Sequence, residues 1–182
     1  MPLPSATRSS ESYAYDVASD TWTQLPSMPN CTARGGAATI VHGDLIYLDG
    51  DMTVLQATYQ DTVDTVITFN VTSGAWQRVV MAGAELPESR QHAAGVVLDD
   101  TFYIAGGRRY GQTSVRDTVF ELDLSNVTSG WQTSTGHMAV ARGGLMGGLV
   151  GTTFYTFGGE GDPDTATGVY PQVEAFDTET QT

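Results

Sequence analysis

The residues in this chain best suited to binding chemistry are arginines, and three of them recur in similar settings. Arg34, Arg90 and Arg142 stand in Ala-Arg-Gly-Gly, Ser-Arg-Gln-His and Ala-Arg-Gly-Gly. A planar guanidinium with its fork of donors suits bidentate pairing, so such a set could be presented to an acidic or polyhydroxyl ligand. The same recurrence also fits a structural part, in which each arginine pairs with a loop carbonyl or carboxylate and pins adjacent units together. Gln91 and His92 break the pattern, since Gly-Gly follows the other two arginines. A position that departs from its own repeat is a better binding candidate than one that obeys it. Arg108, Arg109 and Tyr110 form a basic-aromatic run able to clamp a carboxylate or stack on a sugar ring. Glu160, Asp162 and Asp164 gather three carboxylates without the full spacing of a calcium loop. No metal or other cofactor is expected.

Composition removes several function classes. The 182 residues hold eight arginines, no lysine and 21 acidic residues, for a net charge of -13. A surface so acidic repels phosphate backbones and anionic headgroups, which argues against nucleic acid and membrane surfaces as partners. Without lysine there is no Walker-type phosphate loop and no Schiff-base chemistry. A single cysteine, Cys31, allows no internal disulfide, redox pair or zinc knuckle. No apolar run approaches the length of a transmembrane helix or of a signal-peptide core.

The elements that must position these side chains come from a repeat. Tyr15-Asp-Val-Ala-Ser-Asp-Thr-Trp22 is echoed by Phe69 to Trp76, by Leu122 to Trp131 with two extra residues, and by a fourth start at Phe176. The first residues of these turns lie 54, 53 and 54 apart. Between them, each arginine motif is followed by Leu45-Ile-Tyr-Leu-Asp-Gly, Phe102-Tyr-Ile-Ala-Gly-Gly or Phe154-Tyr-Thr-Phe-Gly-Gly. Short apolar runs rich in Val, Ile, Tyr, Phe and Thr, bounded by Gly, Asp and Ser, predict four strands per repeat and no helix. Four-stranded sheets at this period predict an all-β propeller, with a small-residue first strand at the crowded axis.

The Gly-Gly, the aromatic-Asp turn and the downstream Trp, in that order, resemble the kelch repeat. Arg90-Gln-His, Ala105-Gly-Gly-Arg and Phe157-Gly-Gly-Glu-Gly further resemble the galactose-oxidase-like kelch proteins of fungi and bacteria. One copy departs, with Asp49-Gly50 read in the place of Gly-Gly. The resemblance implies three to three and a half four-stranded blades of a six- or seven-bladed ring. Residues 1-11 are expected to be a disordered tail, 12-28 the last two strands of a blade, 34-80 and 90-135 two full blades, and 142-182 an incomplete one. A homo-oligomer could complete the ring. The resemblance also implies a copper site of a crosslinked Cys and Tyr, a further Tyr and two His; Cys31, Gln91, His92 and Gly144 do not reproduce it.

In an antiparallel blade the second-to-third loops and the inter-blade segments share one end. That end is the expected binding face, recognising a protein or glycan; a sugar-active oxidase or epimerase is the alternative. Trp22, Trp76 and Trp131 are expected to pack between blades. All three asparagines, Asn30, Asn70 and Asn126, open Asn-x-Thr sequons. By chance that is an outcome on the order of one in a hundred, and it points to a secreted or cell-surface glycoprotein, with a cytoplasmic chain as the alternative.

Overall fold

The computed structural model describes residues 10-55, 60-79, 83-161 and 166-182; the first nine residues of the tail lie outside them. Within the described residues the Ser10 carbonyl accepts a hydrogen bond from Met28 N at 2.8 Å.

The described residues form antiparallel strands and one 3-10 turn (Val127–Ser129), with no α-helix. A hairpin of β1 (Ser12–Asp16) and β2 (Thr21–Leu25) comes first. A four-stranded sheet follows, β3 (Ala38–His42), β4 (Leu45–Asp49), β7 (Val66–Asn70) and β8 (Ala75–Val79), paired in that order. Inserted after β4 is a two-stranded hairpin, β5 (Met52–Leu55) and β6 (Gln60–Thr62), within what the sequence presents only as a long loop. The second four-stranded sheet is β9 (Ala94–Leu98), β10 (Thr101–Ala105), β11 (Thr118–Asp123) and β12 (Gln132–His137). The last sheet has three strands, β13 (Met146–Val150), β14 (Thr153–Phe157) and β15 (Val173–Asp177).

The first strands β3, β9 and β13 lie side by side, which places them at the axis of a propeller. Small residues make that approach possible: a Cβ at Gly147 would stand 2.9 Å from Ala94 Cβ. The blade of β9 to β12 hides one face against its predecessor and the other against its successor. Ile40, Tyr47 and Val66 meet Phe102, Ile104 and Phe120 in one core, and Val96, Tyr103 and Val119 meet Phe154 and Phe176 in the next. Phe102 and Phe154 are fully buried, each contributing about 2 to 3 kcal/mol of apolar burial.

The tryptophans follow this stacking. Trp131 is buried against Phe102 and its indole N–H donates to Ala84 O at 3.1 Å. Trp76 packs against Phe69 with the rings tilted at 47° and donates to Pro26 O at 2.8 Å. Trp22 pairs with Tyr15 in the same way, yet it is 69% exposed, since no described residues cover that face of its hairpin. At the other open side Met146, Phe157 and Val173 are exposed on the three-stranded sheet. The described residues therefore form a partial all-β propeller with two uncovered flanks.

Candidate functional site

The strand order sends two sets of connections to opposite ends of the blades. At the turn end lie the tight β3–β4, β7–β8, β9–β10 and β13–β14 turns and the longer β11–β12 turn. At the loop end lie the second-to-third strand loops and the segments that lead into each axial strand, and the arginines gather there.

Arg34, Arg90 and Arg142 occupy the same place in three blades, four residues before β3, β9 and β13. Each reaches across its own sheet to the start of the third strand: Arg34 and Arg142 to the residue just before it, Arg90 to its first residue, Thr118. Arg34 Nη1 donates to Gly50 O and Thr65 O, both at 2.9 Å, and Nη2 to Thr65 Oγ1 at 3.2 Å. Arg90 Nη1 donates to Gly106 O at 2.8 Å, and Nη2 to Thr118 Oγ1 and Glu88 Oε2, both at 3.0 Å. Arg142 donates to Gln172 O and Thr156 Oγ1, both at 3.0 Å. Arg142 is 0% and Arg90 1% exposed. Burial lowers the Arg90 guanidinium to about 10, against the Glu88 carboxylate that favours its charged form. Through their Nη atoms these three guanidiniums serve the protein's own carbonyls and hydroxyls, as in the structural alternative for the set, while Nε of Arg90 and of Arg142 has no hydrogen-bond partner among the described residues.

The arginine clasp explains the glycine pairs. Gly106 runs against the next blade's Arg142 carbonyl, where a Cβ would stand 2.9 Å away, and Gly107 N donates to that same oxygen at 2.8 Å. Gly107 has φ 92 and Gly159 φ 111, a region that favours glycine. In the first full blade the equivalent pair is Gly50-Asp51, not Asp49-Gly50. Strand register sets β4, β10 and β14 in parallel, and Gly50, Gly106 and Gly158 share φ values of 66, 65 and 60. Asp51 then stands at φ 116 with no glycine to relieve it. Its carboxyl is fully buried; Oδ1 accepts from Met52 N and Oδ2 has no partner. Burial raises it to about 7, with the Met52 N–H and the Arg34 charge opposing. Asp49, also buried, is pushed well above the carboxylate range by burial, with the Gly50 N–H and the Arg34 charge opposing.

His92 is the second non-glycine in a glycine's place. It has φ 54 where Gly36 and Gly144 stand in the neighbouring blades. Its N–H donates to Gly36 O and its carbonyl accepts from Gly144 N, both at 2.8 Å, so it ties three blades together at the axis. The ring lies over Gly36, where a Cβ would come within 2.8 Å of Nδ1 and Cε1. Gln91 sets its tautomer. Gln91 Nε2 donates to Gln60 Oε1 at 3.0 Å, so Gln91 Oε1 is left to accept from His92 Nδ1 at 3.1 Å. Nε2 of His92 is then an acceptor. Burial, with Arg108 adding to it, lowers the His92 pKa and keeps the ring neutral at neutral pH. The ring edges a cleft of about 340 Å³ lined also by Gly36, Ala93, Gly144, Leu145 and Met146.

The run Arg108, Arg109 and Tyr110 divides. Arg108 continues the sheet through bridges to Gln91 and Val115, is buried, and pairs with Glu160 Oε1. Arg109 faces outward, with its guanidinium 4.6 Å from the Tyr110 ring centre and Nη2 donating to Tyr110 Oη at 2.9 Å. Glu88, which sequence reasoning passed over, joins them: its carboxylate receives Arg116 Nε and Nη2, both at 2.9 Å, Arg109 Nη1 at 3.3 Å and Arg90 Nη2. The Arg116 hydrogen bond and the surrounding guanidinium charges hold Glu88 below its ordinary range. One carboxylate thus faces three guanidiniums. Among the described residues no group of three His, Cys, Asp or Glu could hold a metal ion; Asp162 and Asp164 lie outside those residues, and the copper set has no counterpart within them.

The chain is 39% identical over 174 residues to the Kelch-like protein terF of Aspergillus terreus, an alignment covering 94% of this chain and 37% of that relative. It spans little more than a third of the relative's length. No family model matches it.

Proposed function

We propose, from the premise that this chain is a kelch-repeat homologue spanning part of a longer relative, that it is a binding scaffold gripping a protein partner at its loop end. The observation that carries the reading is the surplus of cations around Glu88. In a chain of net charge -13, Arg109 and Arg116 remain part-exposed, sharing the Glu88 carboxylate with Arg90, while the Asp117 charge also acts on Arg90 and Arg116, so three guanidiniums face two carboxylates. A further carboxylate brought by a partner completes that arrangement with charge-assisted hydrogen bonds. His92 Nε2 and the axial cleft offer an acceptor nearer the axis. A protein is favoured over a glycan because one face of the Tyr110 ring, the surface a sugar needs, already carries the Arg109 guanidinium.

Panning a random-peptide display library against the folded chain tests this. Enriched peptides are expected to carry Asp or Glu. They are expected to bind the Arg109→Ala, Arg116→Ala double variant about tenfold more weakly or worse, at an unchanged melting temperature. Arg108 is left intact because it is itself buried and already paired with Glu160. Enrichment of peptides indifferent to the double variant, or of none, removes the loop end as the binding face.

A further inference from the structure

Three Asn-x-Thr sequons look equivalent in the sequence, and the fold separates them. Asn70 closes β7 at the position held by Asp16, Asp123 and Asp177 in the other turns. All four side chains accept from turn N–H groups: Ser19 N to Asp16, Ser73 N to Asn70, Ser125 N to Asp123 and Glu179 N to Asp177, at 2.7 to 2.9 Å. Asn70 is half-buried, and its Thr72 hydroxyl donates to Asp44 Oδ2 at 2.7 Å. Asn30 is exposed, but Thr32 is buried with its hydroxyl on Pro29 O at 2.7 Å. In both, the hydroxyl that completes the sequon is committed outside the sequon: Thr72 to the distant Asp44, and the buried Thr32 to the adjoining Pro29 carbonyl.

Asn126 differs on each point. It belongs to the two extra residues that lengthen the β11–β12 turn relative to the other repeats, so no turn depends on its side chain in the way β7–β8 depends on Asn70. Asn126 and Thr128 are both exposed. Thr128 Oγ1 donates at 2.6 Å to Asn126 Oδ1, its own sequon partner, and Nδ2 carries no hydrogen bond among the described residues. The turn stands at the end opposite Arg109 and Arg116, so a large polar group there leaves the loop end open.

We propose that Asn126 is the N-glycan acceptor of the folded chain, with Asn30 and Asn70 closed to modification once the blades have formed. In the transfer, a bond forms between Asn126 Nδ2 and the anomeric carbon of an oligosaccharide. The bond from that carbon to the pyrophosphate of a lipid-linked donor breaks, Nδ2 gives up one proton, and the lipid pyrophosphate leaves with the electron pair; nothing is oxidised or reduced.

The test uses bacterially produced, folded chain incubated with a single-subunit oligosaccharyltransferase and a lipid-pyrophosphate oligosaccharide, read by intact mass and peptide mapping. Urea-denatured chain, diluted into the same reaction, reports what the enzyme does when all three sequons are accessible. The expected result is one glycan on the folded chain, mapped to Asn126, lost in Asn126→Gln and Thr128→Ala and kept in Thr128→Ser. The denatured chain is expected to carry glycans at all three sites. Folded chain left bare at Asn126 while the denatured chain is modified there overturns the proposal, as does folded chain modified at Asn30 or Asn70 as fully as at Asn126. Peptide binding at the loop end is measured separately, so either reading can fail without the other.

Discussion

Two corners of the molecule perform the same task with different residues. Where the second blade meets the third, Gly106-Gly107 turns beneath the Arg142 carbonyl; where the first meets the second, Gly50-Asp51 turns beneath the Arg90 carbonyl, which accepts from Asp51 N. The glycine corner sits at a φ that glycine tolerates and carries no side chain. The aspartate corner holds a φ of 116 and a buried carboxyl whose Oδ2 has no partner. Blade stacking therefore does not require a glycine at the second position, and the aspartate is tolerated at a cost of about 1 to 3 kcal/mol. What the inter-blade contact does require is room for the carbonyl, because a Cβ at Gly50 would stand 2.5 Å from Arg90 O.

The comparison breaks most severely if the glycine corner is given a side chain. A Cβ at Gly107 would meet Arg90 Cγ at 2.8 Å and both Ala93 Cβ and Gln91 O at 2.9 Å, none of them the free end of a flexible chain. Gly107→Ala is expected to destabilise by about 4 kcal/mol or to prevent folding, since strain at φ 92 adds to the overlap. Urea denaturation followed by tryptophan fluorescence measures it. A loss below about 1 kcal/mol would mean that the two corners are interchangeable and that the aspartate carries no special strain.

The reverse exchange at the aspartate corner gives a smaller effect with a pH signature. Folding raises the Asp51 carboxyl to about 7 from its ordinary 3.8, so the folded state holds a proton that the unfolded state has released across this interval. Stability associated with Asp51 is full below about pH 4, falls as pH rises toward 7, and is flat above that. Asp51→Gly removes both the strain and this dependence. It is expected to stabilise by about 1 to 2 kcal/mol at pH 5 and by more at pH 8, with Asp49, Arg34 and Asp64 common to both proteins and cancelling in the difference. Paired urea titrations at the two pH values check it; a gain no larger at pH 8 than at pH 5 contradicts a buried ionisation.

How much of this was legible in the sequence varies with the range of the interaction. The blades were readable because spacing and apolar alternation are local, and the arginine clasp was half-readable because recurrence marked the residue without naming its acceptors. The glycine corner was misread by one position: Leu48-Asp49-Gly50 matches a Gly-Gly motif at its visible Asp-Gly, and only the pairing of β4 with β3 and β7 shows that the turn begins at Gly50. Arg108 and Arg109 look alike as neighbours, yet a bridge to Gln91 alternates them in and out, a period-two argument available only once the strand is extended past Ala105. Glu88 gave no signal, since Arg109 and Arg116 reach it from far along the chain.

The smallest effect sharpens the comparison at the axis, where His92 is to Gly36 and Gly144 as Asp51 is to Gly107 and Gly159. A non-glycine residue at φ 54 costs about 1 kcal/mol, and the Gln91 bond to Nδ1 returns part of it. His92→Gly is therefore expected to change stability by less than about 1 kcal/mol, in the stabilising direction. If the imidazole is kept for its Nε2, two further measurements must move: nitrogen NMR of the parent protein must show Nδ1 protonated at neutral pH, and peptides selected at the loop end must bind His92→Gly more weakly. A parent ring protonated on Nε2 instead would mean that Gln91 does not set the tautomer. Selected peptides indifferent to the variant would reduce His92 to a wedge between blades, leaving the cationic cluster around Glu88 as the whole of the recognition surface.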